Sequence, residues 1–424
     1  MTHFTAYNPF TVLIKFNAVF NLTVLYLDTH TIVQCNRINH SAYRKTLPLI
    51  WSKPRFDKGL VGDALSVFHR FLDTLPLVRI ATIQNIETLD LSVIEESLYD
   101  HVRPDFWLLL VRYIPNLKTL CLRGASFLSC DTFQGLEQYW KWPGVETLDI
   151  SYCDHMNQAI LMQLADALPA LRSIVLDGLK CQISRGVDAL SDRCDKLETI
   201  SLKSCPTLSD NCLVSLAKFR KHHLRSLDLS GCRQITNKGL MLTAKYNIKL
   251  HTLLLANTSC SPEIVLEFVS GPLNRKYLRQ LDISNCANLN GSQLIKVAEK
   301  LLESTEITHL TVSMFLISVM LSQALVSVNS NLVSLTVHGL PEGTPIQLID
   351  RLIEIFPMLS EIVFVREYYQ SDFLKGSYAD TSLPKRERFI TEENLTNLSI
   401  GSPPVKIILS NSCENVSSVG IDSW

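Results

Sequence analysis

The stretch Leu224-Arg-Ser-Leu227-Asp-Leu229-Ser-Gly-Cys232-Arg-Gln-Ile235-Thr-Asn-Lys-Gly-Leu240 decides the fold. Its leucines stand at the first, fourth and sixth positions, and the apolar/polar alternation over residues 227–229 marks a strand with one buried face. The same triplet recurs at Leu117/Leu120/Leu122, Val145/Leu148/Ile150, Leu171/Ile174/Leu176, Leu197/Ile200/Leu202, Leu250/Leu253/Leu255, Leu278/Leu281/Ile283, Ile307/Leu310/Val312, Leu332/Leu335/Val337 and Leu359/Ile362/Phe364. Successive first positions lie 28, 26, 26, 27, 26, 28, 29, 25 and 27 residues apart, a run that chance does not produce. An earlier copy, Ile86/Leu89/Leu91, precedes the series, and a degenerate last copy is read at Val405/Ile408/Ser410.

Between triplets the chain is helical. Residues 159–171 carry Ile160, Leu161, Leu164, Ala167 and Leu168 at helical spacing, and Pro169 ends that helix before the next strand. One strand and one helix cannot close a core alone, so the units must stack, with parallel strands lining a concave side. Five units place a cysteine eight residues after the first triplet position: Cys153, Cys205, Cys232, Cys286 and Cys413. Each is expected to be a small buried packing residue at the turn. Ser209 or Thr236 then caps the following helix.

This pattern resembles the cysteine-containing class of leucine-rich repeats, whose units run to about 20–29 residues and whose best-known members are F-box proteins. The resemblance implies an α/β leucine-rich-repeat solenoid of eleven or twelve units over residues 86–424, a curved parallel sheet with outer helices. An irregular insertion at 366–404, holding Tyr368, Tyr369, Phe373 and Tyr378 beside Lys385, Arg386 and Arg388, interrupts the last units. Such a stretch is either a binding loop or disordered.

Residues 1–56 have a different character. Leu27-Asp-Thr-His-Thr-Ile32-Val-Gln-Cys35-Asn-Arg-Ile38, followed by Tyr43 and Trp51, is similar to the second half of an F-box, and Pro9, Leu13 and Phe16 look like a weak first half. Asn8 and Thr11 replace the family's Leu and Glu, and extra residues lie between Phe16 and Leu27. The resemblance implies a small all-α segment in which Pro9, Leu13, Phe16, Leu27, Ile32, Cys35, Ile38 and Trp51 contact a Skp-family adaptor, and through it a cullin complex. The alternative is a helical cap over the first repeat's apolar edge. Residues 57–85 are expected to form a connecting helix and repeat cap, with Leu65, Val67, Phe68, Phe71 and Leu72 apolar.

Composition narrows the function. Forty basic residues against forty-one acidic give a net charge of -1, which removes the long-range attraction that binding to nucleic acid or an anionic membrane needs. The twelve cysteines never form a Cys-x-x-Cys pair, so neither metal nor redox chemistry is expected, and reduced thiols fit a cytoplasmic or nuclear setting. The most apolar stretch, residues 12–27, contains Lys15 and Asn17 and is short for a membrane span. Neither a phosphate loop, a His-Glu-x-x-His motif nor a Gly-x-Ser-x-Gly turn is present, so the chain is read as no enzyme and without cofactor. His222 and His223, in the basic run 218–223, fit a solvated helix end.

Polar residues alternating with the triplets should project onto the concave side. Asp90, Asp149, Asp228 and Asp282 share that column and suit a protein partner with spaced cations, or else are solvated filler. The family implies the substrate-recognition subunit of an SCF-type ubiquitin ligase. A non-ligase regulatory scaffold is the alternative, and an extracellular repeat receptor, which free thiols at the five repeat cysteines would exclude, is a third.

Overall fold

The computed structural model describes residues 31, 34–35, 37, 40–56, 63–94, 102–103, 105–125, 128, 141–218, 224–246, 249–271, 274–323, 331–341, 344, 346–366 and 405–411. It comprises two compact units, residues 1–175 with 193–196, and residues 176–192 with 197–424.

The first unit begins with helices α1 (His40–Ser52), α2 (Ala64–Thr74) and α3 (Ile80–Ile83). Asp63 starts α2 by accepting the Ser66 backbone N–H at 2.7 Å, which answers one of the donors a helix start leaves unpaired. Phe68, Phe71 and Leu72 turn inward from α2, so the connecting helix expected before the repeats is present. Strand β1 (Thr88–Asp90), helix α4 (Phe106–Tyr113), strands β2 (Thr119–Cys121) and β3 (Thr147–Asp149), helix α5 (Gln158–Ala167) and strand β4 (Ser173–Val175) follow. The strands pair in parallel and in chain order, with Leu89 opposite Leu120, Leu120 opposite Leu148, and Leu148 opposite Ile174.

The second unit repeats the scheme. It contains α6 (Ser184–Arg193, all but its last residue), β5 (Thr199–Ser201), α7 (Asp210–Lys218), β6 (Ser226–Asp228), α8 (Asn237–Tyr246), β7 (Thr252–Leu254) and α9 (Pro262–Ser270). These are followed by β8 (Gln280–Asp282), α10 (Gln293–Leu302), β9 (His309–Ser313), α11 (Met314–Gln323), β10 (Ser334–His338), α12 (Gln347–Ile355), β11 (Glu361–Arg366) and β12 (Lys406–Asn411). Strands β5 to β12 again pair in parallel and in chain order. The ten complete triplets and the early copy at Ile86/Leu89/Leu91 are buried, so each unit forms the expected stack of strands and helices over a dry interior. Each fully buried leucine contributes about 2 kcal/mol of apolar transfer.

The turn after each strand shows why the sequence repeats as it does. The eighth position of a unit is left-handed at Gly124, Tyr152, Gly178, Ser204, Gly231, Asn257, Asn285 and Gly339. Its backbone N–H reaches the next unit, as from Gly124 to the Ser151 carbonyl, Ser204 to Ser230, Gly231 to Ala256 and Asn257 to Ser284, at 2.7–3.0 Å. The ninth position is the cysteine. Sγ of Cys153, Cys205, Cys232 and Cys286 donates to the carbonyl of Leu122, Leu176, Leu202 and Leu255, the sixth residue of the preceding unit, at 3.3, 3.2, 3.0 and 3.1 Å. These four thiols are buried, as expected, and they also answer a backbone acceptor that stacking would otherwise strand.

The last unit is corrected by its register. Ile362 pairs with Ile407 and Phe364 with Leu409, so Ile407 and Leu409, both half-buried, stand in register with the triplets where Ile408 and Ser410 were expected. Three apolar residues in succession, 407–409, satisfy either phase, and a slip of one residue exchanges the faces of a strand. Cys413, the fifth of the expected repeat cysteines, lies outside the described residues. Of the insertion expected at 366–404, Arg366 is the last residue of β11 and the remainder lies outside the described residues, as do His222 and His223.

Candidate protein-binding face

The fifth position of each unit points away from the triplets and is half-buried at Asp90, Asp149, Asp228 and Asp282. These carboxylates are not loose. Each accepts the backbone N–H of the serine two residues on, Ser92, Ser151, Ser230 or Ser284, at 2.8–3.0 Å. Three of them also accept that serine's hydroxyl, at 2.6 Å for Asp90 and Asp149 and 2.7 Å for Asp282. The Leu-Asp-apolar-Ser text is therefore a local turn in which the side chain imitates backbone.

Within the second unit the column becomes electrostatically distinctive. Asp177, which sequence reasoning passed over, accepts the Ser201 hydroxyl at 2.5 Å and the Lys203 N–H at 2.9 Å. Burial raises the pKa of Asp177 and Asp228, and pushes Asp282 up to about 6. The charge of Asp228 raises both of the others, while Lys203 draws all three down. Three acids thus gather about one lysine on a face that water reaches poorly. Asp90 and Asp149 of the first unit flank Cys121, whose Sγ lies 3.7 Å from Asp149 Oδ2 and whose burial lifts its thiol to about 12.

The second position of the units carries a run of charges of alternating sign. In the first unit Lys118 meets Glu87 at 2.9 Å and Arg172 meets Glu146 at 3.7 Å. In the second, Arg225 faces Glu198 at 3.8 Å, while Arg279 meets Glu306, the residue just before the next unit, at 2.7 Å. Such exposed pairs add little stability. His251, between Arg225 and Arg279, has its pKa lowered by burial first and then by both cations.

Of the expected adaptor contacts, only Cys35 and Trp51 fall among the described residues; Pro9, Leu13, Phe16, Leu27, Ile32 and Ile38 lie outside them. Cys35 is buried. Trp51 is half-buried with its ring 6.1 Å from Phe71, beside a cluster in which Phe56 meets Phe68 and Phe71 edge-on at 5.3 Å. The Ser52 carbonyl at the end of α1 accepts the Glu87 N–H at 3.0 Å, fixing the helix to the first strand. Tyr43 and Leu49 of α1 remain exposed. Among the described residues no group of three metal-binding side chains occurs, and no helix is long and apolar enough to cross a membrane.

Comparison with known proteins agrees with the repeat. The family profile described as Leucine Rich repeat matches residues 220–242. DNA repair protein RAD7 of Saccharomyces cerevisiae is 26% identical over 234 residues, 54% of this chain and 39% of that protein, so the match spans about two fifths of the relative's length. A crystal structure of the Rad7 and Elc1 complex in yeast superimposes with a TM-score of 0.43 and 16% identity over 82% of this chain and 93% of that one, a likeness too loose to carry a conclusion.

Proposed function

Since the chain is a leucine-rich-repeat protein with cysteines in the turns of its units, we propose that it is the target-recognition subunit of a cullin-type ubiquitin ligase. The repeats hold a protein target, the F-box-like N-terminus docks to a Skp-family adaptor in the manner of an SCF complex, and the chemistry of ubiquitin transfer belongs to other subunits. The chain binds and does not catalyse.

The observation that carries the binding part is the face of the second unit, where burial raises the pKa of Asp177, Asp228 and Asp282. A carboxylate kept where its charge is poorly solvated is a standing cost to the free protein. A cationic group from a partner removes that cost, so the face suits a target segment with Lys or Arg at two-strand spacing, about 10 Å. The likeness to a DNA repair protein supports a nuclear setting, with the target among nuclear proteins.

A second reading, a regulatory scaffold that recruits no ligase, is favoured by Trp51. Its ring faces the aromatic cluster that covers the first repeat, as a cap would require. Affinity purification of the tagged full chain separates the two. Skp-family adaptor and cullin are expected to co-purify and to be lost on deleting residues 8–51, with the repeats still folded by circular dichroism. Adaptor absent from the wild-type eluate, or retained by the deletion, sinks the ligase reading and leaves the scaffold.

A further inference from the structure

The charges at the second position follow an alternation that breaks at one place. From Glu87 through Lys118, Glu146, Arg172 and Glu198 to Arg225, successive repeats carry acid and cation in turn. The next repeat carries His251 where an acid is due, and the one after it carries Arg279, so two arginines flank a histidine. Beyond them the position is uncharged at Thr308, Val333 and Ser360 and basic at Lys406. Arg225, His251 and Arg279 stand on adjacent rungs of the second unit. The His251 N–H donates to the Arg225 carbonyl at 2.7 Å, and the Arg279 N–H to the His251 carbonyl at 2.8 Å. The ring offers the arginines no negative charge, and its pKa, lowered first by burial and then by both cations, keeps it neutral at pH 7. Neither arginine is spent. Nε of Arg225 lies 3.8 Å from Glu198 Oε2, beyond hydrogen-bond reach, and the Arg225 side chain is 62% exposed. Arg279 meets Glu306 and three backbone carbonyls through Nη1, which leaves Nε and Nη2 without a hydrogen bond among the described residues.

The first unit shows what such a gap accepts. There the place between Lys118 and Arg172 is filled by Glu146, whose carboxylate lies 3.7 Å from Arg172. Strands two rungs apart are separated by about 10 Å, so the long side chains of Arg225 and Arg279 can close on one oxyanion from both sides. We propose that the gap at His251 receives a carboxylate from the bound protein segment, an Asp or Glu that completes the ladder from outside. A carboxylate suits it better than a phosphate, because Glu198 and Glu306 already flank the pair and repel a second negative charge. The same two rungs carry Asp228 and Asp282, three residues and about 10 Å further along the chain. The target therefore presents an acid and a base about 10 Å apart. A segment laid the other way round meets like charges at both places and is rejected. This deepens the protein-binding reading above and rests on it, but not on the ligase assignment.

The test is panning of a random dodecapeptide phage library against the immobilised full chain. Enriched peptides are expected to pair Asp or Glu with Lys or Arg about three residues away, the span of about 10 Å in extended chain. Their affinities are then read by fluorescence polarisation on the wild type, Arg225→Gln and His251→Glu. His251→Glu places in the chain itself the acid found at residues 87, 146 and 198, so it fills the gap and is expected to melt no lower than the wild type. Arg225→Gln, at an exposed side chain, carries the comparison should His251→Glu fail to fold. Changing the peptide's acid to its amide is expected to cost roughly tenfold on the wild type and less than about twofold on either variant. The proposal is overturned if the amide costs nothing on the wild type, if its cost is the same on all three proteins, or if phosphoserine in place of the acid binds about tenfold tighter. Peptides lost with Asp228→Asn but indifferent to Arg225→Gln leave the protein-binding reading standing and remove this one. No enrichment at all removes both.

Discussion

Asp282 carries the sharpest electrostatic consequence at the scale of single residues. Its pKa rises to about 6 from an ordinary 3.8, chiefly by burial, despite two bonds from Ser284. Folding therefore prefers the protonated acid. That preference contributes in full below about pH 4 and is lost as pH rises through 6, leaving a poorly solvated charge at neutrality. Asp282→Asn keeps an acceptor for Ser284 and removes the charge. It is expected to stabilise the protein by about 1–3 kcal/mol at pH 7 and by little at pH 4, read from urea midpoints at the two values. A loss of stability at pH 7 would show that the charged form is the one the fold wants. The sequence displayed the Asp column because it recurs, and displayed the serine partners too, as Asp-x-Ser. Asp177 stayed hidden because it reaches Ser201 across a unit boundary, 24 residues on. The thiol bonds escaped notice for the same reason, since each carbonyl partner lies 29–31 residues back.

Among elements, the helices are locked to one another as well as to the sheet. Asp210 at the start of α7 accepts the Thr236 N–H at 2.8 Å and its hydroxyl at 2.5 Å, while that hydroxyl accepts the Lys238 N–H at 3.2 Å. Thr236 thus caps α8 as its sequence position predicted, and one carboxylate of the preceding unit secures the cap. The close approach requires Gly239, where a Cβ would stand 2.5 Å from Asp210 Oδ1 and 2.8 Å from Leu213 Cδ1. Gly239→Ala, normally favourable inside a helix, is expected instead to destabilise by about 1–3 kcal/mol through overpacking, measured by thermal melting. The pattern Thr-Asn-Lys-Gly-Leu was legible as a helix start, but nothing in it revealed that glycine was needed by a neighbouring helix. The misplaced phase of β12 has a similar origin. Periodicity fixes a strand's faces only when one phase is polar, and residues 407–409 offer none.

For the whole molecule, the repeat was legible because a solenoid writes its period into the chain some ten times over, and each copy corrects the reading of the others. The binding face was legible only as a column. Which of its members are poorly solvated depends on neighbours in other units, as Asp282 depends on Asp228 and Lys203, and no single unit displays that. The adaptor-binding segment was legible only by resemblance, because its contacts are used once and leave no internal copy to compare.

One irregularity has a mechanical consequence. In the unit that starts at Ile307, β9 ends at Ser313 and α11 begins at Met314, with no turn between them. The thiol and the left-handed residue that stitch other units together have no place in that unit. Coupling between neighbours is what makes a one-dimensional array melt as a single body, and here it is left to the buried triplets and the five-residue pairing of β9 with β10. The rungs from Ser334 onward are expected to open as a separate block. Hydrogen exchange followed by mass spectrometry should show a step in protection between peptides on either side of residues 307–331. Uniform protection across that stretch would mean the buried triplets alone transmit cooperativity. A hinge at this point would let the far rungs breathe without loosening the carboxylate-rich face, so capture of one partner and adjustment to its size fall to different stretches of a single polymer.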